Sequence, residues 1–193
     1  MIHALRLIAI VLIVGVAALW FAQSYRGRST ESPAEVGYLP DFSLPDLNDR
    51  PRSITEWSGT SLIINFWATW CAPCRREMPL LQDLHDRQYG GRGLQIIGIA
   101  MDNLRDVTKF VAQNNITYPI LYGEHEASVV AESLAEDFVG LPFSVFVAPD
   151  GQILAFWPGE ISADELRKIA AELDAVASGR RSAEQARQRL ASE

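Results

Sequence analysis

The chain has 193 residues, of which 48% are hydrophobic and 21% are charged, and its formal net charge is −7 at pH 7. This length and composition fit a globular domain with a full hydrophobic core and exclude a disordered protein. The negative charge repels phosphate backbones, which argues against nucleic acid as a partner.

An apolar segment stands at the start of the chain. Residues 7–22 are uncharged and almost wholly apolar, and with their apolar neighbours they approach the ~20 residues that span a bilayer. We interpret residues 1–24 as an uncleaved membrane anchor that places the rest of the chain outside the cytoplasm. A cleaved signal peptide is the alternative, because residues 16–18 are small. Residues 25–34 are polar and predict a linker.

Beyond the linker, turn residues and apolar periodicity predict a hairpin-like arm, then alternating strands and helices, and a charged tail. The arm is expected over residues 40–57, with a turn at Asn48 and Asp49. Strands are predicted at residues 61–68, 94–101, 118–122, 143–148 and 152–157, the last two as a hairpin. Helices are predicted at residues 71–89, 103–113, 127–138 and 163–177, the last with Ser162 and Glu165 as a capping box.

This order of elements predicts an α/β fold with a central mixed sheet and helices on both faces. We assign residues 35–177 to that domain and residues 178–193 to a charged C-terminal tail.

The two cysteines of the chain, Cys71 and Cys74, lie in the stretch NFWATWCAPCRREMP. A zinc site needs four ligands, and the three histidines of the chain are scattered. A structural disulfide would close a very short loop and remove little entropy from the unfolded chain. Redox chemistry fits best, because a strand before Cys71 and a helix after it place its sulfur at a helix N-terminus, which favours a thiolate.

The segments PDFSLPDLNDR, NFWATWCAPCRREMP, GLP and PDG occur here in the order found in the thioredoxin superfamily. Within it, the sequence resembles the membrane-anchored thiol-disulfide oxidoreductases of the TlpA, ResA and CcmG (DsbE) type over about residues 40–177. The resemblance implies a thioredoxin-like fold, a redox-active disulfide, and no metal or other cofactor.

The resemblance assigns roles to the residues of the CxxC motif. Cys71 would be the exposed nucleophile and Cys74 the thiol that resolves the mixed disulfide. Ala72 and Pro73 lie between them, and proline suits an early helical position. Trp70 would flank the site as an apolar wall, although packing in the core is an equally ordinary role for a tryptophan.

Two prolines also match the family. Pro142 corresponds to the family's cis-proline, whose loop lies against the disulfide, and the backbone of Leu141 before it would pair with a substrate strand. Thioredoxins more often have threonine or isoleucine at the position of Leu141. Pro79 corresponds to the family's helix kink and leaves the carbonyl of Arg75 without its usual donor.

Asn65 and Glu77 distinguish this chain from ordinary thioredoxin. Asn65 occupies the position of a buried aspartate, and an amide can orient or hydrogen-bond but cannot ionise. The resemblance implies that Glu77, three residues after Cys74, manages protons near the thiols, so that carboxylate and thiolate raise each other's pKa. The alternative is a structural glutamate that favours the helix dipole or pairs with Arg76.

The function expected from the resemblance is that of a reductase of protein disulfides in the periplasm, tethered to the bacterial inner membrane. Apocytochrome c during cytochrome c biogenesis is the expected substrate, and copper-site assembly proteins of the respiratory chain are the alternative. A membrane thiol relay of the CcdA or DsbD type is the expected electron donor.

Three other functions remain to be distinguished. A disulfide-forming oxidant would share the fold and differ in reduction potential. A thiol peroxidase would carry proline and threonine seven and three residues before the reactive cysteine, where this chain has Ile64 and Ala68. A membrane-tethered binding module would work without either thiol.

Overall fold

The computed structural model describes residues 37–88, 93–136 and 138–191. The predicted anchor at residues 1–24 and linker at 25–34 lie outside these residues. Within the described part of the chain, each helix is too short or too polar to cross a membrane.

Up to residue 177, the order of elements along the described residues is the predicted one. The strands are β1 (Ser43–Pro45), β2 (Pro51–Ser53), β3 (Ser61–Trp67), β4 (Leu94–Ala100), β5 (Ile120–Tyr122), β6 (Phe143–Val147) and β7 (Ile153–Pro158). The helices are α1 (Ala72–Gln88), α2 (Leu104–Gln113), α3 (His125–Leu134), α4 (Ala163–Ala177) and α5 (Ala183–Leu190), and a 3₁₀ turn spans Ile54–Trp57.

The central sheet is mixed, with the strand order β5-β4-β3-β6-β7. Strands β3, β4 and β5 are parallel, whereas β6 is antiparallel to β3, and β7 is antiparallel to β6. All seven residues of β3 are buried, as expected for a central strand covered on both faces. The predicted sheet is therefore confirmed.

Each face of the sheet supports its own hydrophobic core, because side chains alternate between faces along a strand. Ile63 and Trp67 of β3 pack with apolar residues of α1, α2, α4 and α5. Leu62, Ile64 and Phe66 pack on the other face with residues of α3 and of the β1–β2 arm. The helices thus cover both faces, as the alternating pattern predicts.

The arm of β1 and β2 is an antiparallel hairpin, with Ser43 opposite Ser53. Asp49 in its turn has a φ of 59°, a left-handed conformation that Asp tolerates. The hydroxyl of Tyr122 donates to Asp49, and Asp46 bridges to Leu121, so the arm lies beside the short edge strand β5. It thereby limits access to an otherwise open sheet edge.

The largest difference from the predicted boundaries is at α3, which was expected over residues 127–138. The helix spans His125–Leu134, and Ala135 after it is extended, with φ −137° and ψ 115°. Phe138 instead packs edge-on against Phe143 at a ring separation of 5.3 Å. Residues 135–136 and 138–142 consequently belong to a connection to β6 rather than to a last helical turn.

Residues 178–193, assigned to a charged tail, include the well-formed helix α5. Ser182 caps it in a capping box with Gln185. Ala186 and Leu190 are buried, and the guanidinium of Arg187 donates to the carbonyl of Ile153 in β7 at 3.1 Å. Helix α5 therefore belongs to the packed structure and covers part of the β7 edge.

Gly98 in β4 gives the large side chains around it room. A Cβ on Gly98 would lie 2.6 Å from Cδ1 of Ile120 and 3.1 Å from both Nε1 of Trp67 and Cε2 of Tyr118. The two aromatic rings are buried in a dense core, so an added methyl group would have to displace them.

We expect Gly98→Ala to lower the free energy of unfolding by about 1–3 kcal/mol, the usual range for overpacking in a dense core. Urea unfolding of the oxidised protein would measure this. Gly37→Ala is the matched control, since a Cβ there would meet nothing within 4 Å. Equal effects of the two substitutions would contradict the packing argument.

Candidate active site

Cys71 and Cys74 lie where β3 passes into α1, and they form a disulfide with a Cα–Cα distance of 5.3 Å. The backbone N–H of Cys74 donates to Sγ of Cys71 at 3.3 Å. This places the sulfur of Cys71 against an N-terminal amide of the helix, the environment that stabilises a thiolate.

The two cysteines differ in access to solvent. Cys71 is 5% exposed and Cys74 is completely buried, so an incoming thiol or disulfide reaches Cys71 first. The resemblance implies that Cys71 is exposed, whereas in the structure it is largely buried. Its side chain packs in the hydrophobic core that α1 helps to form. Ala72, the first residue of α1, is exposed, and Pro73 after it is half-buried.

Trp70 lies outside the core, with 70% of its surface exposed. Of the two roles considered for it, the exposed position fits a wall of the site and rules out packing in the core. Val139, in the connection before β6, is also exposed, at 87%. No motif or periodicity pointed to Val139, which lies just beyond the predicted end of α3.

The peptide bond between Leu141 and Pro142 is cis, as the resemblance implies. Phe143, the next residue, is paired with Phe66 near the end of β3. Pro142 is thus at the end of the sheet from which the chain continues to Cys71. The carbonyl of Pro142 accepts from the N–H of Gly159, which ties this loop to the end of β7.

Asp102 holds the segment between β3 and the disulfide, a contact that the sequence analysis missed. Its carboxylate accepts hydrogen bonds from the backbone N–H and the hydroxyl of Thr69, and from the N–H of Asn103. Asp102 is only 8% exposed. Since parallel strands end at the same edge, an aspartate after β4 was a signal that it would meet residues following β3.

The carboxylate of Glu77 is buried, with 1% of the residue exposed. Its Oε1 accepts from the side-chain amide of Asn65 at 2.7 Å, and its Oε2 accepts from the backbone N–H of Ile161 at 2.8 Å. The same amide nitrogen of Asn65 donates to the hydroxyl of Ser144 at 3.0 Å. Ser144 and Ile161 were missed because nothing local in the sequence connects them to the CxxC motif.

Burial raises the pKa of Glu77 from 4.5 to about 7, although the hydrogen bonds from Ile161 and Asn65 oppose the shift. The nearby charge of Glu160 raises it further. Glu77 is three residues after Cys74 in α1, so the two side chains are neighbours on one helix face. The site therefore holds a carboxyl group that exchanges its proton near neutral pH beside the buried cysteine.

Arg76, proposed above as a structural partner of Glu77, instead pairs with Glu160. Its Nε lies 3.0 Å from Oε1 of Glu160, and the pair bridges α1 and the loop after β7. This contact raises the pKa of Arg76 and lowers that of Glu160. Both side chains are solvent-accessible, so the pair contributes little to stability.

Comparison with known proteins identifies the family to which this chain belongs. Residues 38–156, more than half of the chain, match the AhpC/TSA family. The chain belongs to the AhpC/TSA family. Its thiol-disulfide oxidoreductase chemistry follows from the Cys71–Cys74 disulfide and from the ResA relatives.

Individual relatives and solved structures indicate which members of the family this chain is similar to. The chain is 29% identical over 163 residues to the thiol-disulfide oxidoreductase ResA of Oceanobacillus iheyensis, across 81% of this chain and 82% of the relative. A thioredoxin-family thiol:disulfide interchange protein of Chlorobium tepidum TLS superposes with a TM-score of 0.65 at 25% identity, across 76% of this chain and 99% of its own. A secreted Mycobacterium tuberculosis disulfide oxidoreductase homologous to E. coli DsbE gives 0.57 at 24%, across 67% and 94%. The fold is therefore thioredoxin-like.

Membership of the AhpC/TSA family leaves the argument against a thiol peroxidase intact. The positions at which a peroxidase has its proline and threonine are occupied by Ile64 and Ala68, and both are fully buried. Neither side chain can donate a hydrogen bond to a peroxide. The hydroxyl of the nearby Thr69 donates its hydrogen bond to the carboxylate of Asp102 instead.

We expect the stability of the oxidised protein to fall as the pH rises from about 4.5 to about 7, because the folded state retains the Glu77 proton that the unfolded chain has released. Glu77→Gln should remove this dependence, which amounts to roughly 3 kcal/mol for a shift of this size. Urea unfolding between pH 4 and pH 8 measures the difference between the two proteins.

In this experiment the disulfide keeps both thiols from titrating, so Glu77 is observed separately from the cysteines. Glu132→Gln, an exposed position on α3, is the control and should leave the pH dependence unchanged. A Glu77→Gln protein with the same pH dependence as the parent would mean that Glu77 titrates like an ordinary surface carboxylate.

Proposed function

We propose that this chain is an extracytoplasmic reductase of protein disulfides, held at the bacterial inner membrane by residues 1–24 and acting on apocytochrome c before haem attachment. The ResA relative supports thiol-disulfide oxidoreductase chemistry, and the secreted DsbE homologue, which shares the fold, is consistent with a place outside the cytoplasm. The observation that carries the direction of electron flow is the buried carboxylate of Glu77 beside the CxxC pair.

A buried carboxylate near the thiols opposes the formation of a thiolate, because two negative charges would share a poorly solvated site. A strongly oxidising disulfide protein depends on the opposite effect, the stabilisation of its reduced form. Glu77 therefore favours the disulfide form of this protein, and a protein that favours its own disulfide gives electrons to its substrates.

The reaction proceeds by two thiol-disulfide exchanges. The thiolate of Cys71 attacks one sulfur of the substrate disulfide, which forms a mixed disulfide and releases the first substrate thiolate. Cys74 then loses its proton to Glu77 and attacks Cys71, which releases the second substrate thiolate and leaves the Cys71–Cys74 disulfide. Two electrons pass to the substrate, and a membrane thiol relay of the CcdA or DsbD type returns the protein to its reduced form.

The surroundings of Cys71 suit a polypeptide substrate. Trp70 and Val139 expose apolar surface on the two segments that lead to the disulfide and to Pro142. The backbone of Leu141, before the cis-proline, is the proposed pairing site for an extended substrate strand. Ala72 and Pro73, which directly follow Cys71, are uncharged.

The equilibrium reduction potential, measured against a glutathione or dithiothreitol series, tests the direction of electron flow. We expect a value near that of thioredoxin, about −270 mV or somewhat above. Glu77→Gln should raise the potential, because it removes the charge that disfavours the thiolate. A value near −120 mV for the parent protein would identify an oxidant of other proteins instead.

Cysteine variants test the order of the two exchanges and the substrate. We expect Cys74→Ser to accumulate a mixed disulfide with an oxidised apocytochrome peptide, because the attacking thiol at Cys71 remains and the resolving thiol is lost. Cys71→Ser is the matched control and should trap none, since Cys74 is fully buried. Non-reducing electrophoresis with mass spectrometry identifies the linkage.

Trapping through Cys74 in place of Cys71 would reverse the assigned roles. If Cys74→Ser trapped a disulfide-containing copper-assembly protein and did not trap the apocytochrome peptide, the proposed substrate would be wrong, although the reductase chemistry would stand.

A further inference from the structure

A row of residues crosses the central sheet at the level of Asn65. The strand register places Asn65 opposite Gly98 in β4 and opposite Ser144 in β6. Asn65 and Ser144 are completely buried, in strands that are otherwise almost wholly apolar. Burying two polar side chains is unfavourable unless they are hydrogen-bonded, so this pair calls for an explanation.

The present hydrogen bonds suit only one protonation state of Glu77. Both groups that face its carboxyl oxygens, the amide nitrogen of Asn65 and the backbone nitrogen of Ile161, are donors. A carboxylate accepts from both. A carboxylic acid has one O–H, which would point at a donor rather than an acceptor.

Of these two donors, one can change its role. The backbone N–H of Ile161 is fixed, whereas the amide of Asn65 carries both a donor and an acceptor at similar positions. Its oxygen, Oδ1, is buried and has no hydrogen-bond partner among the described residues. Ser144, the third member, has a hydroxyl that can either accept or donate.

We propose that Asn65 and Ser144 form a reversible pair that follows the proton of Glu77. When Glu77 is a carboxylate, the amide nitrogen of Asn65 donates to it and to Ser144. When Glu77 is protonated, the amide group flips, so that its oxygen and nitrogen exchange positions. The amide oxygen then accepts from the Glu77 O–H and from the Ser144 hydroxyl. Both states of Glu77 are then fully hydrogen-bonded without any movement of the backbone.

This pair deepens the proposed function and rests on it, because it gives the proton of Cys74 a prepared destination. In the second exchange, Cys74–SH and the Glu77 carboxylate become a thiolate and a carboxylic acid. The thiolate attacks the mixed disulfide at Cys71, the bond from Cys71 to the substrate breaks, and the substrate leaves as a thiolate. Asn65 and Ser144 act as positioning residues throughout, since neither gains nor loses a proton.

An asparagine meets this requirement where an aspartate would not. A carboxylate at position 65 could not donate to Glu77 and would add a second negative charge to the same buried site. An apolar residue would leave Oε1 of Glu77 without a partner in either state. Thioredoxin has a buried aspartate at this position. An asparagine in its place is thus compatible with a titrating carboxyl group at Glu77.

Several other titratable groups lie on the elements around Glu77. Cys71 lies directly before α1 and Cys74 lies on it, whereas Glu160 lies on the loop after β7 and pairs with Arg76. Tyr118, before β5, is buried, and both burial and the charge of Glu77 raise its pKa, so it stays neutral. In the oxidised protein the cysteines do not titrate, and Glu77 is then the group whose proton the Asn65 amide can follow.

The test is NMR spectroscopy of the oxidised wild-type protein across the titration of Glu77. Above the midpoint we expect nuclear Overhauser effects between the Asn65 amide protons and the γ protons of Glu77. Below it these should disappear as the amide turns, while the Glu77 carboxyl ¹³C signal reports protonation. Amide contacts that stay unchanged through the titration would overturn the proposal.

Asn65→Ala separates a reversible pair from a fixed donor. A fixed donor stabilises only the carboxylate, so its loss should raise the pKa of Glu77 by about one to two units and destabilise the protein only at high pH. A reversible pair stabilises both forms. Its loss should shift the pKa by less than about half a unit and lower stability on both sides of the midpoint.

Ser144→Ala completes the comparison. The reversible pair predicts that it, too, destabilises both protonation states of Glu77, because Ser144 serves the amide in each orientation. All these measurements use the oxidised protein and need no substrate. Failure of the proposed reductase activity would therefore leave the result for Asn65 interpretable, and failure of the Asn65 test would leave the reductase assignment in place.

Discussion

The burial of one carboxyl group, that of Glu77, constrains the active-site half of the molecule. Its two oxygens are held by Asn65 from the centre of the sheet and by Ile161 from the loop before α4. These contacts connect α1, β3 and the β7–α4 loop around a single group. Because a buried carboxylate without such donors is strongly unfavourable, the three elements must keep their relative positions.

The remaining site residues are positioned by where the strands end. Strand β3 leads to Trp70 and Cys71, β4 leads to Asp102, and β6 begins directly after Pro142. Strands β3 and β4 are parallel and β6 is antiparallel to them, so all three place these residues at one edge of the sheet. The hydrogen bonds from Thr69 to Asp102 then hold the segment that carries the disulfide.

The arginines of the segment assigned to a charged tail make specific contacts with the folded domain. Arg181 and Arg189 both contact Glu172, which is only 8% exposed, and Arg180 pairs with Asp174. Arg187 contacts Ile153 of β7. The buried side chains of Ala186 and Leu190 hold α5 against the domain, and the contacts of Arg181 and Arg189 with the largely buried Glu172 add to this.

The order of strands and helices, the redox pair and the cis-proline position could be predicted from the sequence, because periodicity, capping residues and the CxxC motif are local or familial signals. The sequence also indicated Asn65 and Glu77, but as separate residues with separate roles. The folded protein shows that they form one network with Ser144, which is 79 residues from Asn65, and with Ile161, which is 84 residues from Glu77. Such contacts depend on strand register and helix placement, which the packing of the whole chain sets, and no local pattern encodes them.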